Sequence, residues 1–377
     1  MMRLLIDPQI FTTQEFGGIS RYFTELCVRF KEEEDIDLHF PVLYTDNIYY
    51  LNSSFYPTSY QNKNKFLIRY GTLFRAFLPR KLKKKNKEHS IKLLQQQSFD
   101  LFVPTYYDPY FLLHLKQKPF VLTVHDMIHE LYPQYFEDDP DTMHNKKQLI
   151  FEAKRIIAVS ENTKNDILSI YPEISEDKID VVHLAHQFSD SVAVPIGLPS
   201  HYILFVGNRS LYKNFTFFIT AISQLFHQFN DLHLVCAGGN EFDEGELSLF
   251  EEFGISSRII QQNFKDSELK AYYENARCFV FPSEYEGFGI PILEAMSAGC
   301  PVILTNNSSF PEIAGDAGIY FELNDHADLR QKVSEIWNNG DLRAEYQEKG
   351  HLQTQNFTWE KTASETIKVY HKALSKF

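Results

Sequence analysis

Short apolar runs alternate with stretches of helical period along the first half of the chain: Arg3 to Asp7, Leu38 to Leu43, Leu101 to Pro104, Phe120 to His125, Ile156 to Ser160 and Ile179 to His183. Such alternation predicts a parallel sheet covered by helices. Residues 189–200 (SDSVAVPIGLPS) interrupt it with Pro, Gly and Ser and no helical period, as an interdomain linker does. The pattern resumes at Tyr202 to Val206, Leu232 to Ala237, Arg258 to Gln262, Cys278 to Phe281, Pro301 to Thr305 and Gly318 to Phe321, so a second α/β domain follows the first. Trp359 to Phe377 predicts one amphipathic helix, with Ala363, Ile367, Tyr370 and Leu374 on a face. The expected organisation is a domain over 1–190, a second over 191–358 and a closing helix over 359–377.

A length of 377 residues supports two hydrophobic cores, and 44% hydrophobic with 23% charged residues excludes a disordered or fibrous chain. The net charge of −13 argues against a general nucleic-acid binder, which needs a basic face. Cys27, Cys236, Cys278 and Cys300 are too scattered for a disulfide framework and are read as reduced and buried. No apolar run has the length of a membrane span, and MMRLLIDPQIF lacks the apolar core of a signal peptide, so a cytoplasmic protein is expected. One segment departs in charge. Residues 63–92 hold eleven Lys/Arg against the single Glu88, with Phe66, Tyr70, Leu73, Phe74 and Phe77 at helical spacing. This basic amphipathic pattern suits an anionic membrane surface; a solvated basic face packed on its own domain is the alternative.

The chemistry concentrates at strand ends. In FPSEYEGFGIPILEAMSAGCP (281–301) a strand runs into a turn with Gly287 and Gly289, Pro291 sits at a first helical position, and Gly299 and Pro301 stop a short helix from about Ile290 to Ala298. The glycines permit close backbone approach, and the helix start offers unpaired N–H groups, a combination suited to a diphosphate. Glu286 and Glu294 bracket that start. Beside a diphosphate they suit sugar hydroxyls; a surface turn residue and a helix-dipole carboxylate are the plainer readings. In YILFVGNRSLYKNF (202–215), Gly207 ends a strand and Arg209 and Lys213 follow, where open α/β sheets bind ligands and where cations can neutralise a leaving diphosphate. In the first half, Gly17 and Gly18 follow the first strand, without the dinucleotide fingerprint, and the fourth strand ends in His125 and Asp126. His125 suits a hydroxyl contact or proton transfer with Asp126 setting its tautomer, or is simply a satisfied strand-end histidine. Asp139-Pro140-Asp141 has a metal-binding spacing but lies in an acidic surface stretch, and His183 with His186 lacks a third ligand, so no metal is expected.

Together these residues resemble the retaining glycosyltransferases of family 4, with two Rossmann-like domains in the GT-B arrangement and a cleft between them. EYEGFGIPILEAMSAGCPVI resembles the family's E-x7-E motif and continues through TNNSSFPEIAGDAGIYF as in bacterial polysaccharide mannosyl- and rhamnosyltransferases. VGNRSLYKN resembles the phosphate-binding loop, IIAVSENTKNDI the first-domain strand and helix, and FTWEKTASETIKVYHKAL the terminal helix that crosses back to the first domain. The resemblance implies that Glu286 holds donor-sugar hydroxyls, Glu294 the ribose, and Phe288, Gly289 and Ile290 the phosphate and sugar through backbone groups. Arg209 and Lys213 would clamp the diphosphate, and Phe264 would mark the nucleobase position. Asn208 stands where many members have arginine, and Asn263 where glycine is common. The implied activity is metal-independent transfer of a hexose, GDP-mannose being the first donor expected, to a glycan or polyprenyl-linked glycan in surface polysaccharide synthesis. A sugar-nucleotide epimerase of the same fold and a non-catalytic sugar-nucleotide-binding subunit are the rivals.

Overall fold

The computed structural model describes residues 1–56, 78–188, 193, 195, 197–209 and 211–375. They form two compact units, one of Met1–Leu184 with Trp359–Phe377 and one of Ala185–Thr358. Half of the polar stretch 189–200, and residues 57–77 of the region containing the basic amphipathic pattern, lie outside the described residues.

The first unit holds β1 (Met2–Ile6), β2 (Ile36–His39), β3 (Leu101–Val103), β4 (Val121–Val124), β5 (Arg155–Ala158) and β6 (Ile179–Val181). They make two parallel ladders, β2-β1-β3 and β4-β5-β6, joined by a parallel bridge between Phe102 and Phe120. The second strand stops at His39 instead of reaching Leu43, because Pro41 has no N–H for a ladder. Core side chains such as Phe102, Phe111, Leu122, Leu149, Ile156 and Ile167 fill the space between this sheet and its helices.

The closing helix Trp359–Leu374 belongs to this first unit. Its apolar face puts Trp359 against Tyr22 and Tyr370 against Phe30, while Glu360 pairs with Arg29 at 2.9 Å. Thr362 donates a 2.8 Å hydrogen bond to the carbonyl of His183.

The second unit holds β7 (Tyr202–Val206), β8 (His233–Ala237), β9 (Ile259–Gln262), β10 (Cys278–Phe281), β11 (Val302–Thr305) and β12 (Gly318–Phe321), in the order β12-β11-β10-β7-β8-β9, every pairing parallel. Read from β9, this is the doubly wound order whose direction of winding reverses between β7 and β10. Both central strands are buried on both faces, which is why they read as continuous apolar runs. Ligands bind such sheets beyond the carboxyl ends of the strands at the reversal. That places the loops after β7 and β10, carrying Lys213 and Glu286, at the position of interest.

Candidate functional site

In the second unit the turn after β10 ends at Gly289, whose φ of +94° favours glycine; a Cβ there would also press on Ile292 Cδ1 at 2.9 Å. The helix Ile290–Ser297 starts from it with Pro at a first-turn position and no side-chain cap. The helix dipole therefore presents partial positive charge without a capping carboxylate or hydroxyl.

Lys213 ends a short 3-10 turn after β7, and its Nζ pairs with Glu286 Oε1 at 2.5 Å. Its ammonium also lies 4.9 Å from the ring centroid of Tyr212 and 5.4 Å from that of Phe281. Burial works against this charge, but Glu286 and Tyr212 outweigh it and hold the lysine above its ordinary pKa. Both side chains keep some exposure, 19% for Lys213 and 16% for Glu286, so the pair is reachable from solvent. Two residues placed on separate loops by the sequence are thus brought together at the sheet's reversal.

Glu294, one turn into the helix, is nearly buried. Its Oε2 accepts from the Tyr273 hydroxyl at 3.0 Å, and its Oε1 lies 3.5 Å from His186 Nδ1. His186, set aside as a metal ligand by its spacing, is in fact a neighbour of this carboxylate.

Arg209 does not join Lys213. Its Nε and Nη2 bind Glu246 at 2.7 and 3.2 Å, and its remaining N–H groups donate to the carbonyls of Gly238, Asn240 and Glu241. The guanidinium also faces the rings of Phe242 and Phe215, 4.7 and 5.7 Å from their centroids. With its donors committed and its side chain 4% exposed, Arg209 holds the loop after β8 instead of offering a charge to a diphosphate. That loop needs holding: Gly238, Gly239 and Asn240 all have positive φ, and a Cβ on Gly239 would meet the Gly207 carbonyl at 2.3 Å. Gly207, at φ +96°, ends β7 beside it, followed by Asn208. Phe264, after β9, packs on Tyr272 and approaches Gly238.

A polar run that the sequence reading quoted without assigning a role supports the Glu286 turn from behind. Thr305 donates to the carbonyl of Ser283 at 3.1 Å and Asn307 to that of Glu284 at 2.6 Å. Ser308 accepts from the Glu286 N–H at 3.0 Å and donates to the carbonyl of the same residue; Ser309 reaches the carbonyls of Glu286 and Phe288, both at 2.9 Å. Hydroxyls crowded between a strand end and a Pro-started helix are the signal, but they read equally well as a helix cap.

In the first unit, Gly17 and Gly18 begin the helix Gly18–Phe30, which brings Tyr22 and Phe23 edge-on to the His125 imidazole, at centroid distances of 5.7 and 6.1 Å. Burial lowers the His125 pKa to about 4, so at neutral pH the ring is uncharged. Its backbone N–H donates to the Tyr107 hydroxyl at 3.1 Å. Asp126 follows. Burial alone would raise its carboxyl, yet Lys146 and the Ile128 N–H hold it below the ordinary value, as a carboxylate.

Lys146, which sequence reading missed, is fully buried on the helix Pro140–Glu152. It reaches Glu130 at 2.8 Å, the Asp126 carboxylate at 3.6 Å and the Asp126 carbonyl at 3.1 Å. Its position four after Thr142 and three before Leu149, all buried, was the available clue. Asp139 accepts from the Thr142 N–H and so caps that helix, which accounts for the acidic spacing there. At the end of the basic segment, the helix Leu78–Gln96 is tied down by Asn86, which bonds the Leu43 and Tyr44 backbone, and by Ser90, while Lys84, Lys85 and Lys87 remain exposed. All four cysteines are buried and free, and no helix among the described residues is long and apolar enough to cross a membrane.

Known proteins resemble both parts of the chain. Residues 16–186 match the family described as Glycosyltransferase Family 4, and residues 190–353 that described as Glycosyl transferases group 1. The chain is 29% identical over 281 residues to O-antigen chain mannosyltransferase B of Escherichia coli, covering 70% of this chain and 73% of that one. It is 26% identical to an uncharacterised glycosyltransferase of Methanocaldococcus jannaschii, covering 70% and 72%. Among solved structures it superposes on the sucrose-phosphate synthase of Thermosynechococcus elongatus with a TM-score of 0.71 at 16% identity, over 99% of both chains. The Anabaena protein HepE, in complex with UDP and glucose, gives 0.70 at 14% identity over 98% of this chain and 99% of that one.

Proposed function

We propose that the chain, a family 4 glycosyltransferase with the GT-B fold, moves a hexose, mannose first, from a nucleotide diphosphate sugar to a growing surface glycan. The observation that carries this reading is the Lys213–Glu286 pair beside the helix that starts at Ile290. An arriving donor divides the pair. Its diphosphate takes the ammonium and the helix N-terminus, and its sugar hydroxyls take the Glu286 carboxylate. Glu294 is the ribose partner in this reading. The relative named as an O-antigen chain mannosyltransferase supports mannose and a polysaccharide acceptor.

We read the transfer as retaining. The acceptor oxygen bonds the anomeric carbon on the face from which the diphosphate departs, the anomeric carbon–oxygen bond breaks with its electron pair going to phosphate, and that phosphate takes the acceptor proton. No protein nucleophile enters. Lys213 and the helix dipole stabilise the leaving charge in place of a metal ion, with Arg209 acting behind them through the glycine loop. The neutral His125 and ionised Asp126 serve hydroxyl recognition in the first unit. Because the eleven cations of residues 63–92 include Lys84, Lys85 and Lys87 on an exposed helix face, we further propose an acceptor at an anionic membrane surface.

The test is turnover of GDP-mannose with a lipid-linked glycan, with products analysed. Lys213→Ala is expected to lower kcat by about 100- to 1,000-fold, as loss of one transition-state contact does. Glu286→Ala at full rate would overturn the site, and sugar-nucleotide conversion in the absence of acceptor would replace transfer by epimerisation. Cosedimentation with phosphatidylglycerol vesicles, lost on neutralising Lys84, Lys85 and Lys87, tests the surface.

A further inference from the structure

The Glu286 turn is braced by residues more than twenty positions later in the chain. Its backbone polar groups are satisfied from outside by the segment after β11: Thr305 on Ser283, Asn307 on Glu284, Ser308 on both the N–H and the carbonyl of Glu286, and Ser309 on the carbonyls of Glu286 and Phe288. Ser308 performs this at a cost, because its φ of +55° lies in the left-handed region that a residue with a side chain adopts rarely. Glycine would fill that position without strain, but has no hydroxyl. A strained residue whose only distinctive contribution is to grip both backbone groups of one acidic residue points to a role in orienting that residue.

We propose that Ser308, backed by Ser309, is a positioning residue for sugar-nucleotide recognition. By bonding the Glu286 N–H and carbonyl it aims the Glu286 carboxylate, and together with Ser309 it commits two carbonyl dipoles that would otherwise be available to repel an incoming diphosphate. This rests on the assignment of Glu286 to the donor sugar.

The experiment uses Ser308→Gly and Ser309→Ala in the full chain, measured by calorimetry with GDP, UDP and dTDP, by melting temperature, and by kcat and KM for GDP-mannose. Ser308→Gly is the decisive variant because its two effects are expected to have opposite signs. Relief of the left-handed strain keeps or raises the melting temperature, while loss of the hydroxyl weakens the tightest-binding diphosphate and raises the donor KM, each about tenfold. In a Glu286→Ala background the same substitution is expected to change donor KM less than twofold, since the residue it orients is gone. Unchanged donor KM in Ser308→Gly, or an equal loss with and without Glu286, overturns the proposal while leaving the donor site intact. Should Glu286→Ala itself leave donor binding and turnover unchanged, or none of the three diphosphates bind, the donor-site assignment fails and this inference with it. Ser309→Ala guards the result if Ser308→Gly fails to fold, with the same expectation for KM.

Discussion

At the end of β4 the His125-Asp126 pair is held by a buried ammonium, Lys146, among two carboxylates and the Tyr107 ring; at the end of β10 the Glu286 turn is held by neutral hydroxyls. The two solutions differ in what they risk. A buried lysine is tolerable only while its acidic partners face it, so the first arrangement stands or falls as one cluster. Hydroxyl-to-backbone bonds are individually modest and fail one at a time. The first unit therefore couples its strand-end residues to stability and to pH through one buried cluster, whereas in the second the Glu286 backbone is braced by separate, neutral contacts.

The sharpest way to break the contrast is Lys146→Met, which leaves Asp126 and Glu130 without their buried cation. A loss of about 3 to 5 kcal/mol is expected in urea unfolding, against about 1 kcal/mol for removing the Ser309 hydroxyl. Similar losses would dissolve the distinction.

The second prediction concerns pH. Asp7, at the end of β1, is buried with Tyr110 donating to it at 2.6 Å, and burial lifts its pKa to about 7. Its unfolded value is near 4, so between about pH 4 and pH 7 folding takes up a proton there, and the associated stability is lost as pH rises through 7. His125 has the reverse sign. Its folded pKa of about 4 lies below the ordinary 6.5, so its contribution is lost as pH falls from 6.5 towards 4. Over that window the two slopes oppose. Asp7→Asn removes one of them, and the variant is expected to lose stability on acidification from pH 6.5 to 4.5 more steeply than the parent, by an amount on the order of 1 kcal/mol per pH unit. Parallel melting-temperature profiles for the two proteins would count against it.

The third is Gly239→Ala. With φ at +78° and the Gly207 carbonyl in the way, a cost of at least ~1 kcal/mol is expected, accompanied by weaker nucleotide binding if Arg209 works through this loop. Thermal denaturation beside GDP titration measures both.

Strand positions were legible because buried parallel strands are short apolar runs, and Glu286, Lys213, His125 and Asp126 could be found by following each run to its carboxyl end. What the sequence hid was partnership. Arg209 reads as an available cation because Glu246, which consumes it, lies 37 residues away on the helix Glu244–Glu252. Ser308 and Ser309 carry no signature of their contact with a turn 21 to 23 residues earlier, since a hydroxyl that caps its own helix and one that braces a distant loop look alike. Lys146 was within reach of periodicity, as it sits on the buried face of its helix while Lys147 does not.

The helix Trp359–Leu374 completes the first unit although the whole second unit precedes it in the chain. On a ribosome adding ~5–20 residues per second, Tyr22 and Phe30 wait roughly 10 to 30 seconds after their own sheet has emerged before Trp359 and Tyr370 arrive to cover them. Throughout that interval the nascent chain carries an uncovered aromatic seam, and the late-made helix has the part of a latch that closes it.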